Sequence, residues 1–243
     1  MSRLADLQRF YASLDRLRDR LGGTRTLSDF SRSRDWPQRG VYFFFEPGEV
    51  RSHSGTGLRV VRVGTHALTA GSRSSLRQRL SQHRGSASGG GNHRTSIFRL
   101  LIGEALLARE ASSTCGSWGV KGDATNAAAH LQMDRQSMKA MEVPVERLVT
   151  QYLGTLPFLW LDVGDEPGPD SKRGFIERNS IALLSNFERA PLDPQLAKWL
   201  GGFSDRPLVR QSGLWNQRHV DEKHDPEFLD VLEATIGRRQ GLK

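Results

Sequence analysis

Two short apolar runs decide the fold: Gly40-Val41-Tyr42-Phe43-Phe44-Phe45-Glu46, closed by Pro47-Gly48, and Leu58-Arg59-Val60-Val61-Arg62-Val63-Gly64. Both are rich in aromatic and β-branched residues and bounded by turn formers, which is the pattern of strands. The polar, glycine-bearing stretch 49–57 between them suits a hairpin with a long loop. Side chains alternate along a strand, so Tyr42, Phe44 and Glu46 share one face, as do Arg62, Gly64 and His66. Polar chemistry is thereby gathered on one side of the hairpin.

Downstream, Ser74 or Ser75 is placed to cap a helix running to about residue 83, with the pattern Leu76-x-x-Arg79-x-x-x-His83. On a helical wheel Leu76, Leu80 and His83 fall within about 60° of one another and Arg79 lies at the edge of that stripe. A guanidinium beside a core requires an anionic partner, either a structural carboxylate or a substrate phosphate. A second helix is expected over 96–108, and residues 109–142, rich in Ser, Gly, Ala and Asn, read as an insertion. Residues 145–153 read as helical, 157–163 as a strand buried on both faces, and 172–184 as a helix. On that last helix Glu177, Ile181 and Leu184 lie within about 60° of one another, so a carboxylate shares an apolar face. It serves either an ion pair with an arginine such as Arg79 or a hard divalent cation.

Three parts follow along the chain. Residues 1–37 carry an amphipathic helix over 3–21 (Leu4, Leu7, Tyr11, Leu14, Leu17, Leu21), expected to pack against the core, and a polar connection over 26–37. Residues 38–187 form the core, with the insertion at about 109–155. Residues 188–243 form a helical extension, with short helices expected over 194–200 and 226–236.

The 243 residues include a single cysteine, Cys115, which excludes an intramolecular disulfide framework and a multi-cysteine zinc site. No apolar run approaches the ~18–20 residues that cross a bilayer. A cytoplasmic protein without a membrane is the expectation. The net charge of +8 is concentrated: residues 51–110 hold ten arginines, no lysine and two acids, Glu104 and Glu110. A planar guanidinium fork grips phosphate bidentately, so a nucleic-acid backbone is the expected partner, DNA first with RNA left open. Arg73, Arg77 and Arg84 are candidate contacts, as are His93 and Arg94 at the end of the Ser88-Gly-Gly-Gly-Asn-His-Arg94 loop, and Asn216. That loop lacks the Gly-Lys-Ser/Thr ending of a nucleotide P-loop. The segment His219-Val-Asp-Glu-Lys-His224 has no helical His pair and reads as solvated.

At Gly40-Val41-Tyr42, Arg62-Val63-Gly64, Arg79, His83 and Glu177, in that order, the chain resembles the GIY-YIG nucleases. The resemblance covers roughly residues 38–110 and 155–187 and implies an α/β (α+β) fold, a small three-stranded sheet flanked by helices. It also implies a metal-dependent endonuclease hydrolysing phosphodiester bonds, with Mg²⁺ or Mn²⁺ as cofactor, in restriction-like defence or DNA processing. By that analogy Tyr42 accepts a proton from the attacking water, Glu177 holds the ion, Arg79 stabilises the phosphate, and His83 positions or relays protons. Arg62 stands where the family's second tyrosine stands and cannot act as a base; His66, on the same face, is the expected substitute. The alternatives are a catalytically silent nucleic-acid-binding module of the same fold, and an interaction protein using its first helix. A homodimer is compatible with cutting two strands.

Overall fold

The computed structural model describes residues 2–29, 36–86, 88–110 and 114–238. Residues 30–35, half of the polar connection expected over 26–37, lie outside them. The two runs form the hairpin β1 (Gly40–Val50) and β2 (Leu58–Gly64), and β3 (Phe158–Asp162) lies on the other side of β1. The sheet order is β2-β1-β3 and both pairings are antiparallel, with Tyr42 opposite Gly64 and Trp160, and Phe44 opposite Arg62 and Phe158. β1 runs past the expected stop at Glu46. Its register shifts after Phe44 and again before Val50, where Pro47 offers no N–H and Gly48 takes φ +90.

Alternation along β1 feeds two apolar layers. Tyr42 and Phe44 join Phe158 and Trp160 under α2 (Leu76–Arg84), α3 (Ile97–Arg109) and α5 (Arg135–Thr155). Val41, Phe43 and Phe45 join Leu159 and Leu161 under α1 (Arg3–Arg20), α6 (Lys172–Leu184) and α8 (Glu227–Gly237). α1 starts where Ser2 accepts from the Ala5 N–H at 3.3 Å, and it buries Leu7, Phe10, Tyr11, Leu14 and Leu17 in that second layer. Each such side chain contributes about 1.5–3 kcal/mol relative to exposure.

Two stretches depart from the expectation. The segment read as an insertion, 109–142, holds α4 (Ala124–His130) and the first eight residues of α5, which continues through Pro144. Proline inside a helix removes one backbone hydrogen bond. Here the turn before it is anchored by buried Met138 and by Glu142, and the turn after it by Glu146. Residues 194–199 form an irregular stretch with one turn instead of a helix, followed by a 3-10 segment Leu200–Phe203 and the short α7 (Pro207–Ser212).

The outer edge of β2 is covered by the chain after α7. Trp215 N–H donates to the Val61 carbonyl at 2.7 Å, and both atoms of the Asn216 amide bond the backbone of Val63, at 3.2 and 2.9 Å. An exposed edge is thus satisfied without a fourth strand.

Candidate active site

The glycines of the two strand motifs are required by close approach. A Cβ on Gly40 would lie 2.4 Å from the Leu161 carbonyl oxygen, and one on Gly64 would lie 2.3 Å from Tyr42 Oη. The Tyr42 ring therefore lies flat across Gly64 of the neighbouring strand. Its Oη is bonded to His83 Nε2 at 2.8 Å, and His83 Nδ1 to Ser96 Oγ at 2.8 Å. α2 delivers His83 because Ser75 and Gln78 form a reciprocal cap that starts the helix, and Leu76 and Leu80 bury the same stripe. Tyr42 and His83 are fully buried, and burial, with Arg79, Arg62 and Arg99 behind it, holds His83 well below the usual imidazole range. His83 is a neutral link in a Tyr42–His83–Ser96 chain. The phenol is closed off from water, so the role of accepting a proton directly from an attacking water does not match its position.

Arg62 caps that chain from the next position along the face. Its guanidinium lies 4.8 Å over the Phe98 ring and donates to the Trp215 carbonyl. Burial lowers its pKa, while the Tyr42 phenol and the Glu177 carboxylate push the other way.

Arg62 also lines a cleft of about 1360 Å³ together with Thr65, His66, Arg77, Arg79, Glu177 and His219. These come from β2, the loop after it, α2, α6 and the segment after Asn216. Glu177 Oε1 accepts from the Thr65 N–H at 3.1 Å. Burial raises the Glu177 pKa, against the lowering pull of Arg62, His219 and Arg79. The ion pair with Arg79 that the sequence allowed does not form: Arg79 Nη1 donates to Gln82 Oε1 at 3.1 Å and to the Thr95 carbonyl at 3.4 Å, and its Nε has no partner. His66 donates from Nδ1 to the Ser74 carbonyl at 3.1 Å, leaving Nε2 buried and unpartnered. Burial and the nearby Arg173, Arg79 and Arg39 lower the His66 pKa to about 4, so the ring is neutral at physiological pH.

The candidate nucleic-acid contacts divide. Arg73 and Arg77 are exposed and Arg84 is half-buried. His93, by contrast, is interior: it stacks on Trp118 at 4.0 Å, and both its backbone N–H and Nδ1 donate to Glu146 Oε1, at 2.6 and 3.0 Å. Arg94 spends its fork on Glu142 at 2.7 and 2.8 Å. Asn216 borders the cleft, yet its amide is committed to Val63. These three serve the fold, since a group already paired inside the protein has no free donor for phosphate.

The arginine concentration is corrected in the same way. Arg59 pairs with Glu49 at 2.5 Å, Arg94 with Glu142, and Arg99 with Glu146 at 2.5 Å, all acids from outside residues 51–110. Linear charge counting misses partners brought in by folding. It also missed His219 and Arg218, which reach the cleft because Asn216 pins their segment to β2. The reading of the segment from His219 as solvated is corrected by this, and nothing in the sequence marked Arg218.

The fold and the cleft define a small mixed α/β protein with an arginine-lined, carboxylate-bearing hollow at one end of a three-stranded sheet. The GIY-YIG domain model matches residues 1–241, and the chain belongs to that family. Membership implies nuclease chemistry, the hydrolysis of phosphodiester bonds in nucleic acid. No curated protein and no solved structure matches the chain. Among the described residues no helix is long and apolar enough to cross a membrane.

Proposed function

We infer that the protein is a divalent-metal-dependent DNA endonuclease whose reaction takes place in this cleft. The observation that carries the reading is the convergence of Arg62, His66, Arg79 and Glu177, from three separate chain segments, on one hollow edged by Arg77 and Arg218. Two guanidiniums facing a partly buried carboxylate form an unusual arrangement for stability alone, because Glu177 forms no ion pair among the described residues.

The donor set suits a hard cation such as Mg²⁺ or Mn²⁺. Such an ion takes one or two carboxylates and completes its shell with water and phosphate oxygens. No group of three or more His, Cys, Asp or Glu gathers among the described residues, so Glu177 would be the protein's ligand. Bound there, the ion would supply charge stabilisation for the phosphate under attack.

The remaining work falls to the chain. Arg79, which lines the cleft, offers its guanidinium to a non-bridging phosphate oxygen, where added negative charge develops. Arg62 is fixed by Trp215 and Phe98 and adds a second fixed cation. The buried Tyr42–His83–Ser96 chain holds α2 against β1 and so sets the reach of Arg79. His66, neutral and donating from Nδ1 to the Ser74 carbonyl, fixes the loop after β2 against the start of α2. Arg73, Arg77 and Arg218 meet the flanking backbone, and a role in restriction-like defence or DNA processing is consistent with that surface.

The enclosure of Tyr42 favours a second reading, a silent nucleic-acid-binding module. Supercoiled-plasmid cleavage separates the two. The nuclease reading expects nicking in Mg²⁺ that stops with chelator and in Glu177→Gln, while duplex binding persists. Tight binding without cleavage in Mg²⁺ or Mn²⁺ would establish the silent module.

A further inference from the structure

One imidazole on the cleft belongs to no motif. Asn216 and Trp215 are tied to β2, and this delivers residues 217–219 onto the cleft opposite α2. His219 adopts φ +64, a left-handed conformation that a non-glycine residue keeps only where its surroundings impose it. The turn aims its Nδ1–H at Glu222 Oε1, 2.7 Å away. Glu222 is itself held: Arg178 Nε donates to its other carboxylate oxygen at 2.5 Å, and Arg189 donates to its carbonyl. With Nδ1 committed to a carboxylate, Nε2 on the far side of the ring is the nitrogen left for the cleft. A carboxylate–imidazole pair of this kind fixes the tautomer and stabilises the imidazolium that forms when the ring takes a proton.

We propose that His219 is a catalytic residue of the cleft, the base that removes a proton from the attacking water, with Glu222 as its positioning carboxylate. The inference rests on the nuclease reading. One water O–H bond breaks and the proton passes to His219 Nε2, while the water oxygen forms a bond to phosphorus. The phosphorus bond to one sugar oxygen breaks, its electron pair stays on that oxygen, and the oxygen takes a proton from solvent. The imidazolium then returns its proton to solvent.

The other groups at the site are poorer bases. Tyr42 is enclosed, both nitrogens of His83 are bonded, and Arg62 and Arg79 carry no lone pair to offer. His66 is surrounded by Arg173, Arg79 and Arg39, which oppose a positive charge on its ring. His219 has Glu222 beside it and Glu177 of α6 within electrostatic reach, with Arg178, Arg218 and Asp221 adjoining and Arg62 and Arg79 across the cleft.

The left-handed backbone accepts glycine without strain, so His219→Gly removes the ring and spares the fold. In Mg²⁺, plasmid cleavage is expected to fall by about 10²–10⁴-fold with duplex affinity unchanged, and free imidazole is expected to restore part of the rate. In metal-free protein, the His219 ring resonances should shift when a non-cleavable phosphorothioate duplex binds, while those of exposed His53 hold still. Wild-type cleavage by the variant, loss without imidazole rescue, or resonances that ignore the duplex would each overturn the proposal and leave the nuclease reading standing. Weakened Mn²⁺ binding by the variant, read by electron paramagnetic resonance, would also overturn it by making His219 a ligand. If the wild-type protein never cuts, both readings fall together.

Discussion

Replacing Gly64 by alanine tests the packing on which the site is built. The added methyl would lie 2.3 Å from Tyr42 Oη, 2.4 Å from Cζ and 2.7 Å from Cε2. The ring has little room to retreat, being fully buried, edge-on to Phe44 and His83 at 5.6 and 5.4 Å, and bonded to His83. Overpacking of this kind costs about 1–3 kcal/mol. If the ring moves far enough to break the bond to His83, a buried unsatisfied polar group adds about 1–3 kcal/mol more. A loss of about 2–6 kcal/mol is therefore expected, a large share of the ~5–15 kcal/mol that holds a domain folded. Urea unfolding followed by tryptophan fluorescence measures it. In a Tyr42→Leu background, which removes all three clashing atoms, the same glycine substitution should cost less than about 1 kcal/mol. A Gly64→Ala protein within about 0.5 kcal/mol of wild type would refute the argument, as would an equal cost in both backgrounds.

Glu146→Ala strands the fully buried Arg99 and should destabilise by about 3–5 kcal/mol, whereas Arg99→Met combined with Glu146→Leu should recover most of that loss in the same assay. Arg77→Ala is expected to reduce the salt slope of duplex binding by about 1, while Arg94→Ala, already neutralised by Glu142, should leave the slope alone and lower the unfolding midpoint instead. His66 has a folded pKa of about 4, below its ordinary value, so the unfolded chain binds the extra proton between roughly pH 6.5 and pH 4. Its contribution to stability is present above that window and is lost as the pH falls through it; His66→Gln should flatten this part of the stability–pH curve, and an unchanged curve would contradict the assignment.

The hairpin, both helices after it and the helix bearing Glu177 were legible in the sequence, because each is specified locally. Aromatic and β-branched runs closed by Pro47-Gly48 make strands, Ser75 makes a helix start, and 3.6-residue spacing makes the buried stripe of α2. The first ten residues of α5 were not legible. Pro144 looks like a stop until Glu142 and Glu146 find Arg94 and Arg99 across the fold.

By itself the sequence determined the order of elements and the kinds of side chain available, an arginine-rich nuclease-like set spread over β2, α2 and α6. Only the tertiary structure decided which of those side chains remain free for chemistry. Arg94, Arg99 and His93 are absorbed by carboxylates distant in the chain, Arg59 by Glu49 across its own hairpin, Tyr42 is enclosed, and His219 is brought in by the pinning of Asn216 to β2. The physical reason is that periodicity encodes which face is apolar, whereas pairing of charges depends on which distant segments meet. That information exists only once the chain has closed on itself.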